Sequence, residues 1–418
     1  MAKTFKLVLL WCICAGLLHC AEQSAPPTDC GLTVNPAGDS VQASARQHWD
    51  RSLLTNHQVA QTGNAFGLDL FRELVKAQPD SNIVISPLSV TMALGMTMNG
   101  AAGTTLEAMQ STLGFPDCSM EAVNRGYRCL IDMLTWLDPQ VQFEIASSVW
   151  CQEGCAFKEP FLEACQAYFD AEVRDIDFYG DPDAPDSVNA WVNEKTHGKI
   201  PSIVPKPLLV PPVMMLANAI YFLGTWRYEF DPFYTYDEWF TLPGGSITLC
   251  RMMKRPGPEP DDYWDENTCD YVYYSDDTLQ IVDLAYGDSV FSMTVLLPRE
   301  DVHVDSLISL MDQATWKTWM NSLRDCHGMV LMPRFELEYG RTLKEVLTLM
   351  GMGIAFTAGA ADFSGIADML LWIEEVRHGT YIRVDESGTE AAAVTVVEIP
   401  TGHIPDCACF HMKVNRPF

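Results

Sequence analysis

The chain has 418 residues, 48% hydrophobic and 20% charged, with a formal net charge of −28. This content can bury a large core and excludes global disorder, while the acidity makes nucleic acid and anionic membrane surfaces poor partners. No Lys/Arg run offers a heparin-like site, and no metal or other cofactor is expected.

Lys3 and Lys6 precede an apolar run from Leu7 to Leu18 that is short for a membrane span. Residues 1–20 therefore read as a secretory signal peptide, cleaved near Cys20. Lipid attachment at Cys20 is the alternative, opposed by His19 where a small residue is expected. The chain is thus expected to be secreted and extracellular, or periplasmic or at the cell surface if the source is prokaryotic. The absence of any Asn-x-Ser/Thr sequon keeps the prokaryotic option open. Residues 21–58, rich in Pro, Ser and Asp, read as a flexible leader, and residues 59–418 as one domain.

Secretion permits disulfides among the 14 cysteines, but their pairing is open. Cys151 with Cys155, and Cys407 with Cys409, lack the second pair or spaced His that a zinc site needs.

Apolar residues Val59, Phe66, Leu70, Phe71, Leu74 and Val75 lie on one helical face over 59–76. Ile83 to Ile85 is a short strand, and Ser86-Pro87 opens a helix, with Ser as N-cap and Pro in the first turn. Thr104 with Glu107 predicts a capping box for a further helix closed by Gly114. More helices follow to about residue 200, broken by a strand near Phe143 to Trp150.

Beyond residue 213 strands dominate, over 214–222, 239–242, 247–253, 279–284, 291–297 and 329–337. Two further helices fall near 304–323 and 342–350. Pro256 to Asp262 reads as an acidic surface loop. Helices first and strands later, without a low-complexity linker, predict a single α+β domain.

Residues 386–401 read ESGTEAAAVTVVEIPT. With period two, Thr389, Ala391, Ala393, Thr395 and Val397 share one face, and Glu390, Ala392, Val394, Val396 and Glu398 the other. Extended from Thr389 to Ile399, this segment would span about 36 Å. It leads into a polar, turn-like tip from Pro400 to Asp406. The residues alone fit an inserting strand, an ordinary edge strand, or a helix seeded by Ala391 to Ala393.

Seven motifs in order resemble the serpin family. They are Asn82-Ile-Val-Ile-Ser86-Pro-Leu-Ser89, Gly100-Ala-Ala-Gly103-Thr-Thr-Leu-Glu107 and Val188-Asn-Ala-Trp191-Val-Asn-Glu-Lys-Thr196-His-Gly-Lys-Ile200. Ala217-Asn218-Ala-Ile-Tyr-Phe222-Leu-Gly-Thr-Trp226, Pro333-Arg-Phe335, Met350-Gly-Met352-Gly-Ile-Ala-Phe356 and Ala361-Asp-Phe-Ser-Gly-Ile366 complete the set.

The resemblance implies a serpin fold of three β-sheets and about nine helices with an exposed reactive-centre loop. It implies a monomeric, secreted inhibitor of serine endopeptidases, with cysteine endopeptidases as a further class. Such an inhibitor is a suicide substrate whose cleaved loop inserts into the main sheet and traps the acyl-enzyme. The hinge of that loop would be Glu386, Gly388, Thr389, Glu390, Ala391, Ala392 and Ala393. Gly388 bends without steric cost, Thr389 can leave water where a charge cannot, and the alanines offer little bulk. Ser86, Ser89, Asn218 and His378 resemble the cluster that gates strand separation, and Trp226 with Glu386 the point where the loop first enters.

Two departures qualify the resemblance. Counting forward from the hinge puts the scissile bond between Gly402 and His403, with Thr401 an adjacent option. Counting back from Val414-Asn-Arg-Pro-Phe418 puts it after Asp406. Gly402 or Thr401 suits elastase-like or subtilisin-like endopeptidases; Asp406 suits an Asp-directed one. Neither register suits trypsin, because no Arg or Lys lies between Arg383 and Lys413. The second departure is the end at Phe418, where the family continues for roughly two more strands. Their loss is expected to expose apolar surface and unpaired backbone. A non-inhibitory carrier or chaperone is the alternative function. An enzyme is not expected, since no nucleophile elbow, His-Glu-x-x-His site, P-loop or dinucleotide fingerprint occurs.

Overall fold

A computed structural model describes residues 8–10, 58–79, 81–255, 271–389 and 410–418. Among them are nine α-helices: α1 Gln58–Ala77, α2 Pro87–Met98, α3 Gly103–Leu113, α4 Met120–Trp136, α5 Glu159–Phe169, α6 Ala184–Lys195, α7 Val304–Leu310, α8 Gln313–Ser322 and α9 Lys344–Leu347. The strands of the first half are β1 Val8–Leu10, β2 Ile83–Ile85, β3 Val141–Gln152, β4 Ala171–Ile176, β5 Met214–Thr225, β6 Tyr236–Thr241, β7 Ile247–Arg255 and β8 Tyr271–Ser275. Those of the second half are β9 Leu279–Ala285, β10 Ser292–Pro298, β11 Arg324–Cys326, β12 Gly328–Pro333, β13 Phe335–Thr342, β14 Arg377–Val384, β15 Gly388–Thr389 and β16 Phe410–Lys413.

Apart from the short parallel pair β1–β2, the strands form three sheets, as expected for the α+β serpin fold. The main sheet has the order β13-β14-β15-β5-β3-β4, and the other two run β10-β9-β8-β11 and β16-β12-β7-β6. One large apolar core lies between the sheets and α1, α2 and α4; a smaller one, around Trp150, Val188, Trp191 and Val192, fastens α6 to the main sheet.

Helix α2 is apolar all round and correspondingly buried, with Val90, Met92, Leu94, Met96 and Met98 at most 3% exposed. Ser86 caps it as expected, its hydroxyl accepting from the Ser89 amide, with Pro87 in the first turn. The capping box predicted at Thr104 and Glu107 does not form. Helix α3 starts one residue earlier, at Gly103, with Ala102 at its N-cap and no side-chain cap. The chain there is held by tertiary bonds instead: the Ala102 amide donates to the Asp362 carbonyl, and the Asp362 amide to the Thr105 hydroxyl. Gly114 closes α3 in the left-handed conformation, as its lack of a side chain allows.

The single strand expected over 329–337 is two strands in different sheets. The chain breaks at Arg334, whose amide donates to the Arg251 carbonyl, and crosses from β12 to β13. Strands β4, β8, β11 and β14 carry no clean alternation in sequence and were not among those expected. Cys129 is disulfide-bonded, whereas Cys118, Cys151, Cys155, Cys165 and Cys250 are free thiols. Among the described residues no helix is long and apolar enough to cross a membrane.

Candidate functional site at the opening of the main sheet

Strand β15 is only two residues long, and it stands between β14 and β5. Thr389 pairs with Val384 of β14, and Gly388 and Thr389 pair with Thr225 and Gly224 of β5, all antiparallel. The chain leaves β14 at Val384, turns through Asp385 to Ser387 and re-enters the sheet as the first rung of a new strand. The turn closes on itself: the Asp385 amide donates to the Gly388 carbonyl, and the Asp385 carboxylate accepts from the Ser387 amide. A Cβ on Gly388 would sit 2.1 Å from the Gly224 carbonyl oxygen, so only glycine fits this close approach.

Trp226 and Glu386 meet at this turn. The Trp226 indole donates to the Asp385 carbonyl at 2.9 Å, and its amide donates to the Ser387 carbonyl. Its ring stacks on Tyr286 at 4.4 Å between centroids. Glu386 is 7% exposed. Its carboxylate accepts from the Thr235 hydroxyl at 2.8 Å and lies 3.4 Å from the Arg334 guanidinium. Thr389, 2% exposed, shares a hydrogen bond with the Tyr286 hydroxyl, and burial pushes the Tyr286 phenol well above its ordinary pKa.

Among the described residues β14 and β5 are joined in the ladder only through β15. Below Thr389 a cleft runs between them, with Asn218 to Phe222 on one side and Gly379 to Ile382 on the other. Val84, Ile85, Ser86 and Ser89 form one wall across it, and Val192, Thr196, Ile200 and Ile203 the opposite one.

Ser86, Ser89, Asn218 and His378, which the sequence motifs single out, converge at that cleft. The Ser86 amide donates to His378 Nε2 at 3.0 Å, so the neutral ring carries its proton on Nδ1. Burial lowers the His378 pKa to about 4, which keeps the ring uncharged at neutral pH. The Ser89 hydroxyl donates to the Asn218 carbonyl at 3.3 Å. The Asn218 amide group donates to the Ala146 carbonyl and the Ser147 hydroxyl, while its buried Oδ1 has no donor among the described residues. Helix α2 is thereby bonded to both banks, through His378 to β14 and through Asn218 to β5. Thr380 adds a third tie, its hydroxyl donating to the Val84 carbonyl at 2.7 Å.

The remaining hinge residues Glu390, Ala391, Ala392 and Ala393 lie outside the described residues, as do Thr401, Gly402, His403 and Asp406. The acidic loop at 256–262 and the Cys407–Cys409 pair lie outside them too. Four contributors to the upper site escape sequence reasoning: Tyr286, Thr235, Asp385 and Arg334. Arg334 sits inside the Pro333-Arg-Phe335 motif and could have been found there. Tyr286 and Thr235 carry no local signal, because their roles depend on loops from distant parts of the chain.

Comparison with known proteins points one way. A family model described as "Serpin (serine protease inhibitor)" matches residues 61–418. Iripin-2 of Ixodes ricinus is 33% identical over 365 residues, covering 86% of this chain and 88% of its own. An uncharacterized serpin-like protein of Methanosarcina acetivorans is 31% identical, covering 84% of this chain and 80% of its own. The solved native state of the thermophilic serpin tengpin superposes with a TM-score of 0.72 at 28% identity, covering 86% of this chain and 88% of that one.

Proposed function

Because this chain belongs to the serpin family, whose members are typically protease inhibitors, we propose that it is a secreted inhibitor of serine endopeptidases acting as a suicide substrate. Thr389 carries this reading. It is buried as the first rung of a strand between β14 and β5, with a cleft continuing beneath it.

The target's serine hydroxyl attacks the carbonyl carbon of the loop's specificity residue. The peptide C–N bond breaks, the amine of the next residue leaves protonated, and the upstream segment stays esterified to the enzyme. That segment is now free of its downstream root at Phe410 and continues from Thr389 down the cleft. Each arriving residue gains ladder hydrogen bonds to β5 and β14, and the face of Ala391, Ala393, Thr395 and Val397 buries small side chains. The Asn218 Oδ1, a buried acceptor lining the cleft, offers one further bond to an arriving donor. The esterified enzyme is carried along and distorted before water can complete hydrolysis. The stability of the starting state is therefore a rate, held by the ties of α2 to the two banks.

The scissile bond is assigned to Gly402–His403 or the adjacent Thr401–Gly402, which suits elastase-like or subtilisin-like targets, with Asp406–Cys407 as the other register. The test is to incubate the secreted protein with such proteases and read the products by SDS gel and mass spectrometry. An SDS-resistant complex with a cut after Thr401 or Gly402 is expected. Clean cleavage without complex across the panel would replace inhibition by the carrier reading.

A further inference from the structure

Away from the cleft, the sheet β16-β12-β7-β6 carries an exposed apolar ridge. Across the β6–β7 ladder Trp239 faces Leu249 and Thr241 faces Ile247. Strand alternation puts all four on one face. Trp239 is 54% exposed, Leu249 48% and Ile247 59%. The intervening Phe240 and Thr248 are buried. The ridge is therefore the outward face of a normally registered ribbon, apolar where alternation favours polar residues. At its end Asp237 and Arg251 face each other across the same ladder and pair with one another, so the ridge carries no net charge. Three large apolar side chains side by side on an exposed strand pair mark an interaction surface.

Its location indicates what covers it. Lys413 of β16 pairs at 2.7 Å with Glu238, the residue before Trp239. The Asn415 carbonyl accepts from the Thr241 amide at 2.8 Å. The ridge is thus fastened to the strand on which the reactive loop is rooted, which begins at Phe410. Positions 401 and 406 precede Phe410 by nine and four residues, at most about 15 to 30 Å of extended chain. A compact endopeptidase of roughly 230 residues has a radius of gyration of about 17 Å. An enzyme of that size, tethered within that length of chain from Phe410, is wide enough to meet the β6–β7 face.

We infer that the Trp239–Leu249–Ile247 ridge is a second contact surface for the endopeptidase engaged on the reactive loop, complementary to an apolar patch beside that enzyme's substrate cleft. This inference rests on the inhibitory reading given above. Trp239 is the anchor, since Trp is among the side chains most enriched in binding hot spots, and Leu249 and Ile247 beside it exclude water. The ridge acts on the encounter complex before acylation. It has no part in strand insertion, because β6 and β7 are not strands of the main sheet.

The test compares second-order rate constants for covalent complex formation by the wild-type protein and by Trp239→Ala/Leu249→Ala. The double variant is expected to lose about tenfold in rate. Its stoichiometry of inhibition and cleavage position should stay unchanged. Trp239→Phe should retain most of the rate, and Leu209→Ala, at a leucine still more open to solvent but off the ridge, should retain all of it. Ile247→Ser reads the same surface should the double variant not be secreted. A rate within twofold of wild type for the ridge variants, with complex still forming, would overturn the second surface and leave the inhibitory reading intact. Failure of the wild-type protein to form a complex with any protease would overturn the inhibitory reading, and this surface with it.

Discussion

The hydroxyls of Tyr286 and Thr389 share one hydrogen bond in a place from which water is excluded. Removing either partner leaves the other buried and unsatisfied, whereas removing both leaves an apolar contact. Thr389→Val or Tyr286→Phe alone should each cost about 1–3 kcal/mol in stability. The double variant should cost less than the sum, which a double-mutant cycle by urea unfolding reads directly. Strict additivity would mean that the bond contributes nothing.

Thr389→Arg asks a different question of the same site. An unpaired cation cannot occupy a position flanked by β14, β5 and Tyr286. The loop should then be cut without insertion, converting inhibition into plain substrate turnover. Unchanged inhibition by this variant would contradict the insertion mechanism itself.

Gly388→Ala places a methyl group against the Gly224 carbonyl, at 2.1 Å before relaxation. The hinge must move out of the ladder, so the first step of insertion is slowed. The expected result is a stoichiometry of inhibition several-fold above wild type with an unaltered cleavage position. Amide exchange at Thr389 should also become faster.

His378 makes the sheet opening sensitive to acid. Burial lowers its pKa from 6.5 to about 4 in the folded protein. The unfolded chain therefore binds the extra proton between those values, and stability falls as the pH drops through that window. The contribution is fully present above pH 6.5 and lost by pH 4, about 3 kcal/mol in total. Protonation of Nε2 also breaks its bond to the Ser86 amide. His378→Gln should flatten the difference in unfolding free energy between pH 7 and pH 4.5; parallel wild-type and variant profiles would contradict this assignment.

The two partners of Glu386 should differ in weight. Arg334 is 41% exposed, and its ion pair is screened by solvent, so Arg334→Gln should cost less than about 1 kcal/mol. The Thr235 hydroxyl is buried against the same carboxylate, and Thr235→Val should cost about 1.5–3 kcal/mol. Thermal unfolding of both variants ranks them, and the reverse order would show that the ion pair governs the turn.

Local signals were legible where local chemistry decides the structure. Ser86-Pro87 starts α2 because a cap and a ring-locked φ act within one turn, and Gly114 ends α3 because no side chain opposes the left-handed cap. Thr104 and Glu107 offered an equally good local cap, yet contacts with residue 362, far along the chain, set the start of α3. Over 329–337 strand-forming residues resume directly after Pro333-Arg334, so the segment reads as one strand. Only the packing of two sheets breaks it there, because each strand needs a partner that lies elsewhere in the sequence.

The sequence by itself determined the family, the α+β class, the helix and strand character of most elements, and which side chains gather beneath the sheet. Ordered motifs and periodicity carry that information, since apolar spacing and capping chemistry act over a few residues. Tertiary structure alone decided that Thr389 stands between β14 and β5, that Tyr286, Thr235 and Arg334 complete its surroundings, and that Trp239, Leu249 and Ile247 form one exposed ridge. Each of these depends on strand register and on contacts between distant segments, and a one-residue shift of register would turn the same side chains to the opposite face.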